Sequence, residues 1–185
     1  MTNDPGTIAT STVMPNLHAI VAVCDDWGIG RAGGMVVENR EDMRHFVACT
    51  KGHTVLMGRH TLESFPGGRP LRNRRNVVLT TDRAFRREGV EVAHSIGEAL
   101  DLIGAEETWL IGGGQLYHAL IGRCASAEVT KNHCVRAADT FFPNLDEDPT
   151  WRLGHACAHD ENGDPLVTPE GVAFEFDTYV RAQRA

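Results

Sequence analysis

A chain of 185 residues with 42% hydrophobic and 23% charged residues is about one domain's worth, enough to bury a core. Its formal net charge of −7 argues against the basic face that nucleic acid or an anionic membrane requires, and no apolar run approaches the length of a bilayer span. Five cysteines, an odd number with no C-x-x-C pair, argue against a disulfide framework or a zinc finger and fit reduced thiols in a cytoplasm.

Residues 1–16 carry no Lys or Arg and are rich in Thr, Ser, Pro, Asn and Gly, which predicts a flexible N-terminal extension, with a single domain over 17–185. Leu17 to Cys24 is nearly continuous in apolar residues and reads as a buried strand, broken by turn chemistry at Asp25 to Gly30. Arg31 to Glu38 reads as loop. Glu41 to Thr50 is the first helix, with Asp42, Met43, Phe46 and Cys49 on one face and Arg44, His45 and Lys51 on the other. Thr54 to Met57 is a strand that enters a short helix, His60 to Phe65, and Val77 to Thr80 is a third strand. Ser95 caps a further helix, with Glu98 placed for a capping box.

Thr108 to Ile111 is a strand running into Gly112-Gly113-Gly114 and a helix that ends at Leu120; Ala127 to Lys131 is another strand. Arg152 to His159 and Val172 to Val180, with a polar turn at Asn162-Gly163, read as two long antiparallel strands. The alternation of strands and helices predicts an α/β fold: a mostly parallel central sheet with helices on both faces and a C-terminal antiparallel hairpin. No metal is predicted. His155, Cys157 and His159 alternate along a strand, but at about 3.3 Å per residue the two imidazoles lie roughly 13 Å apart, too far to share an ion.

Asp42 stands on the apolar side of its helix, where a carboxylate is unfavourable without partners and would suit paired hydrogen bonds to a nitrogen heterocycle. The same position also suits an N3 acid behind an Asn39 cap, serving only the helix dipole. Two strand ends, Gly58-Arg59-His60-Thr61 and Gly112-Gly113-Gly114, offer backbone N–H groups for phosphates. Neither is a G-x-G-x-x-G fingerprint, and tight turns explain a triple glycine equally well. Arg69, Arg72, Arg74 and Arg75, with no acid between them, form a basic patch for a carboxylate or simply a solvated loop.

Taken in order, these residues resemble the dihydrofolate reductase family. The resemblance is carried by Ile20 to Val23 with Ile29-Gly30, by Glu41 to Phe46, and above all by Val55-Leu56-Met57-Gly58-Arg59-His60-Thr61-Leu62-Glu63-Ser64. It continues through Arg69-Pro70-Leu71, Arg74, Asn76 to Leu79, Ile111 to Gly114 with Tyr117, Val129-Thr130 and Asp139 to Pro143. It implies a cytoplasmic, monomeric, NADPH-dependent reductase of dihydrofolate that also binds antifolate inhibitors. Asp42 would hold the pterin, with Thr130 on the same carboxylate; Val21, Ala22, Met43, Phe46 and Phe65 would wall the pocket. Arg74 would pair with the substrate's glutamate carboxylate.

The resemblance also implies a cofactor cleft formed by Ala22, Ile29, Gly30, Gly58, Arg59, His60, Thr61, Thr80, Thr81 and the run Ile111, Gly112, Gly113, Gly114, Gln115, Leu116, Tyr117. Arg59 and His60 would face the 2′-phosphate, and Gly112-Gly113 is where the family has a cis peptide. The chain departs from the family in its active-site loop. Val36-Val37 stand where a Pro-Trp pair is usual, and Asn39-Arg40 where a Leu-Pro is usual, so Val37 cannot order a water as the Trp does. A pyrimidine reductase of riboflavin synthesis shares the fold and cofactor, and a non-catalytic nucleotide-binding relic would also tolerate an altered loop. Arg74 and the Asp42–Phe46 helix favour a folate.

Overall fold

Apolar residues alternate along the strands in such a way that both sides of one sheet are greasy, and the chain covers each side with helices. The computed structural model describes residues 12–182. In chain order the elements are β1 (Met14–Cys24), β2 (Gly28–Arg31), β3 (Gly34–Met35), α1 (Arg40–Thr50), β4 (Thr54–Gly58), α2 (Arg59–Ser64), β5 (Arg75–Leu79) and β6 (Glu91–Ala93). They continue with α3 (Ile96–Ile103), β7 (Thr108–Leu110), α4 (Gly114–Leu120), β8 (Cys124–Asn132), β9 (Thr140–Phe141), β10 (Trp151–Cys157) and β11 (Phe174–Arg181).

Eight strands form one sheet in the order β10-β11-β8-β1-β7-β4-β5-β6. The pairings from β8 through β6 are parallel, whereas β11 runs antiparallel to β8 and to β10. Leu17, Ala19, Val21 and Val23 of β1 join Leu56, Val77 and Leu110 on one face, packed with Ala99 and Ile103 of α3 and Leu116 and Leu120 of α4. Ile20, Val55, Met57 and Val78 point the other way and pack with Leu62 of α2 and with Phe46 and Cys49 of α1. The period-2 alternation of a strand thus sorts helices to both faces, as the sequence predicts.

Several expectations are refined. β1 begins at Met14, inside the extension expected over 1–16, whose first eleven residues lie outside the described residues. The segment 28–38 is not all loop: β2 pairs with β3 and β9 in a separate three-stranded sheet. These strands are two to four residues long and glycine-rich, too short to carry a readable period. The strand β6 is equally short and was not anticipated. Ser95 caps α3 by accepting from the Glu98 N–H, but the Glu98 carboxylate accepts from the His94 N–H, one residue before the cap, so the box is displaced by one. The C-terminal hairpin is present, and isolated bridges His159–Pro165 and Val167–Ala173 lengthen its connection.

One buried polar group in the hairpin is expensive. Asp177 on β11 is 2% exposed, its Oδ1 has no hydrogen-bond partner, and burial followed by Glu175 pushes its carboxyl up to about 6. A carboxyl raised in the folded state favours folding while protonated, and that advantage is lost as pH climbs from the unfolded value of about 3.9 through 6. Asp177→Asn, which cannot ionise, is therefore expected to melt at a higher temperature than the parent at pH 7 and at a similar one at pH 4. Thermal unfolding at the two pH values tests this; an unchanged or lower melting temperature at pH 7 contradicts it.

Candidate active site

The carboxylate of Asp42 is placed by the start of α1. Asn39 is the N-cap: its side-chain oxygen accepts from the Glu41 N–H at 3.0 Å and the Asp42 N–H at 3.3 Å. Asp42 is accordingly the N3 residue, and its side chain turns toward the sheet, leaving it 6% exposed. Burial raises its pKa above the usual carboxylate range; the hydrogen bond from Thr130 and the nearby His45 pull the other way. Thr130 lies near the C-terminal end of β8, opposite Ala22 of β1 in the parallel register. A helix cap and a strand end thus hold an acid that burial alone would neutralise.

His45, expected on the solvent side of α1, instead packs inward. Its ring stands 4.7 Å from that of Phe176, its Nε2 lies 3.7 Å from Glu128 and 3.6 Å from the Cys49 sulfur. Cys49 and Glu128 together push its pKa up to about 10, so the imidazole is a cation at neutral pH. Asp42 with Thr130 and His45 with Glu128 form two successive rungs between α1 and β8, which brings a positive charge within reach of the buried acid. Nothing in the sequence signals this, because the second rung is made by tertiary contact. Met43, expected among the buried residues, is half exposed, while Phe46 and Phe65 are half-buried and Val21 is buried.

The second cluster sits at the adjoining strand ends. β7 lies between β1 and β4, and the Gly58 N–H at the end of β4 donates to the Gly112 carbonyl at 2.8 Å. The Gly112–Gly113 peptide is cis. Gly112 has φ 119, and a Cβ there would stand 3.4 Å from both Thr61 Oγ1 and the Tyr117 ring. At Gly114 a Cβ would fall 2.6 Å from the Thr140 methyl group, so only glycine lets α4 begin this close to β9. The helices α2 and α4 have six and seven residues, so their dipoles are weaker than those of longer helices; bare backbone is the larger feature.

Leu116 and Tyr117 are core residues whose side chains face the sheet, and the Tyr117 hydroxyl donates to the Ile20 carbonyl at 2.6 Å. Thr80 is buried, its Oγ1 accepting from the Asp82 N–H, while Thr81 and Gln115 are exposed. Arg59 donates to Asp82 at 2.9 Å, and its buried Nε makes no hydrogen bond but stands 3.4 Å from a Glu63 carboxylate oxygen; His60 is almost wholly exposed. The segment between β1 and α1 is held by Asp139, which the family resemblance includes without a role, and by Arg136, which no motif marks. Asp139 accepts from the Ala32 N–H at 2.7 Å, and Arg136 donates to the Val36 carbonyl at 3.3 Å. Val37, within that segment, is buried.

The family model for dihydrofolate reductase matches residues 16–181. The chain belongs to the dihydrofolate reductase family. It is 39% identical over 158 residues to the dihydrofolate reductase of Mycobacterium tuberculosis, covering 83% of this chain and 91% of that one. It is 36% identical over 175 residues to dihydrofolate reductase HdrB of Haloferax volcanii, covering 90% and 84%. The solved dihydrofolate reductase of Enterococcus faecalis, in complex with NADP(H) and RAB-propyl, superposes with a TM-score of 0.78 at 31% identity over 92% of this chain and 99% of that one.

Dihydrofolate reductases take dihydrofolate and antifolate inhibitors, and the reaction is the NADPH-dependent reduction of dihydrofolate. The pyrimidine reductase and the non-catalytic relic are not favoured by these matches. Among the described residues no helix is long and apolar enough to cross a membrane, and no group of three or more His, Cys, Asp or Glu side chains is placed to hold a metal.

Proposed function

We propose that Asp42 is the carboxylate that grips and polarises dihydrofolate, that Thr130 orients it, and that the strand ends at Gly58 and Gly112 to Gly114 receive NADPH. One observation carries this reading: a buried, capped and hydrogen-bonded acid stands at the C-terminal end of the same parallel sheet whose neighbouring strand ends are pinned together through glycine backbone. Open α/β sheets bind ligands in that position. At Gly58, Gly112 and Gly113 the backbone carries no side chain between a ligand and its N–H and C=O groups, and the Arg59 guanidinium, now held by Asp82 and Glu63, suits a phosphate oxygen.

NADPH, when bound, supplies a hydride to pterin C6. Asp42 accepts from the 2-amino group and a ring N–H, fixing the pterin plane and drawing electron density toward N5, where water delivers the proton. Val21, Ala22, Met43, Phe46 and Phe65 wall the ring, and half-exposed Met43 is available to close over it. Ile29 and Gly30 line the loop side, while Thr61, Thr80, Thr81, Ile111, Gln115, Leu116 and Tyr117 shape the cofactor side. Arg59 and His60 select the phosphorylated dinucleotide, and an incoming phosphate competes with Asp82 for Arg59.

Arg59→Leu is expected to raise KM for NADPH by about 10- to 100-fold while leaving KM for NADH nearly unchanged, since a charge-assisted hydrogen bond is worth about 1.5–3 kcal/mol. Steady-state kinetics with both cofactors test it, and an equal effect on NADH sinks the assignment. We further read the enzyme as a cytoplasmic monomer, from its net charge of −7 and its free cysteines; sedimentation at about the mass of one 20.2 kDa chain is the expected result.

A further inference from the structure

Outside the site just described, two sulfurs lie in contact. Cys24 closes β1 and is buried; Cys134 lies two residues beyond β8 and is half-buried. Their Sγ atoms are 3.7 Å apart although 110 positions separate them in the chain. The backbone enforces the approach from both sides. Cys24 stands opposite Asn132 in the parallel register; the chain then turns back, with the Cys134 N–H donating to the Asn132 carbonyl at 2.8 Å. The Cys134 carbonyl in turn accepts from the Asp25 N–H at 3.0 Å. The other three sulfurs have other neighbours: His45 for Cys49, the Leu120 carbonyl for Cys124 and the His159 carbonyl for Cys157.

We propose that Cys24 and Cys134 are a dithiol that a low-molecular-weight disulfide oxidises to an intramolecular Cys24–Cys134 bond, and that closing the bond alters the active-site loop. A disulfide needs its sulfurs about 2.05 Å apart, so the pair must close by roughly 1.6 Å, a small movement for a half-buried residue in a loop. Cys24 is buried, and its thiol is pushed up to about 12 by burial and then by Cys134, so the first attack belongs to the more accessible sulfur. The Cys134 thiolate attacks one sulfur of RS–SR and displaces RS⁻, which takes up a proton, leaving a mixed disulfide. Cys24 then gives up its proton and attacks the Cys134 sulfur, releasing a second RSH. Two protein thiols are oxidised and one small disulfide is reduced to two thiols.

The segment that carries Cys134 also holds the loop. Arg136 bonds the Val36 carbonyl, and Asp139 accepts from the Ala32 N–H and donates its own N–H to the Gly30 carbonyl at 2.9 Å. Cys24 itself lines, with Ala22, Ile29, Val37 and Asn132, the small space beneath that loop. Pulling Cys134 toward Cys24 therefore moves the anchors of the element that covers the substrate. This coupling rests on the assignment of the loop and of Ala22 to the dihydrofolate cleft; the bond itself does not.

The test uses the full chain incubated with oxidised glutathione. Thiol titration is expected to fall from five to three, peptide mapping to recover Cys24 joined to Cys134, and dihydrofolate turnover to drop about threefold or more, with all three reversed by dithiothreitol. Cys134→Ser is expected to keep full turnover before and after oxidation. Recovery of Cys24 or Cys134 unpaired, bonded to other cysteines or carrying only glutathione overturns the proposal. A mapped bond with unaltered turnover overturns the coupling to the loop, as does equal inactivation of Cys134→Ser. Reduced enzyme without dihydrofolate turnover contradicts the functional assignment instead, and the thiol map is read independently of it.

Discussion

Asp42→Asn is expected to lower dihydrofolate turnover at pH 7 by about 100-fold or more, the scale of losing a positioned acid–base or polarising group. Asparagine keeps the size and the helix position, and it still offers an oxygen to Thr130, but it brings no charge to draw density toward N5. Cofactor binding, which the proposed reading places at Gly58 and Gly112 to Gly114, is expected to stay within about twofold, since the substitution leaves those residues untouched. The same substitution is expected to raise stability. Burial holds the Asp42 pKa above its ordinary value, so the folded state gains while the acid is protonated and loses that gain as pH rises through the raised pKa. At pH 7 the variant should melt above the parent, with the difference vanishing below about pH 4.

A variant both more stable and less active locates the loss in chemistry rather than folding. If protonation at N5 is what fails, acid restores it: the variant's rate is expected to climb as pH falls from 8 to 5, more steeply than the parent's. Near-parental turnover at pH 7, or a rate flat in pH, removes Asp42 from the mechanism.

How much of this was legible without coordinates depends on how local each feature is. The Asn39 cap and the N3 place of Asp42 follow from residues three apart and appear as read, although α1 starts one residue earlier, at Arg40. The strand–glycine–helix units at Gly58 and Gly112 likewise follow from short sequence runs, and the ordered motifs carried the family. What was not legible is long-range. The His45–Glu128 rung joins residues 83 apart, and only packing against Phe176 turns His45 inward from the face a helical wheel assigns it. Met43 fails in the opposite sense: it lies on the apolar face yet is half exposed, while Phe46 and Cys49 of the same face pack against the core. The Asp139 and Arg136 anchors and the Cys24–Cys134 contact also need tertiary geometry, and β2, β3 and β9 are too short to announce themselves.

The basic patch shows how structure chooses among chemically equal candidates. Arg69 and Arg72 are exposed, and Arg75 is consumed by Glu91 at 2.7 Å and Glu106 at 2.8 Å. Arg74 differs. Its Nε donates to Thr50 Oγ1 at 2.8 Å, its Nη1 to the Arg72 carbonyl at 2.9 Å, and its guanidinium stands 5.6 Å over the Phe46 ring. Its Nη2 is buried with no partner, and burial lowers its pKa from the ordinary value. An arginine stays charged in such a site, so the orphaned donor is a standing demand for an anion beside the pocket-wall residue Phe46. We propose that the substrate's glutamate carboxylate meets that demand, at a distance from the reacting ring.

Arg74→Leu is therefore expected to raise KM for dihydrofolate by about 30- to 100-fold, because it strips the partner from a substrate carboxylate. It should leave kcat within about threefold, since the contact is equal in ground and transition states. A dihydropterin without the glutamate tail should be reduced equally well by parent and variant. Equal impairment with both substrates would show that Arg74 acts only by supporting α1 through Thr50 and Phe46.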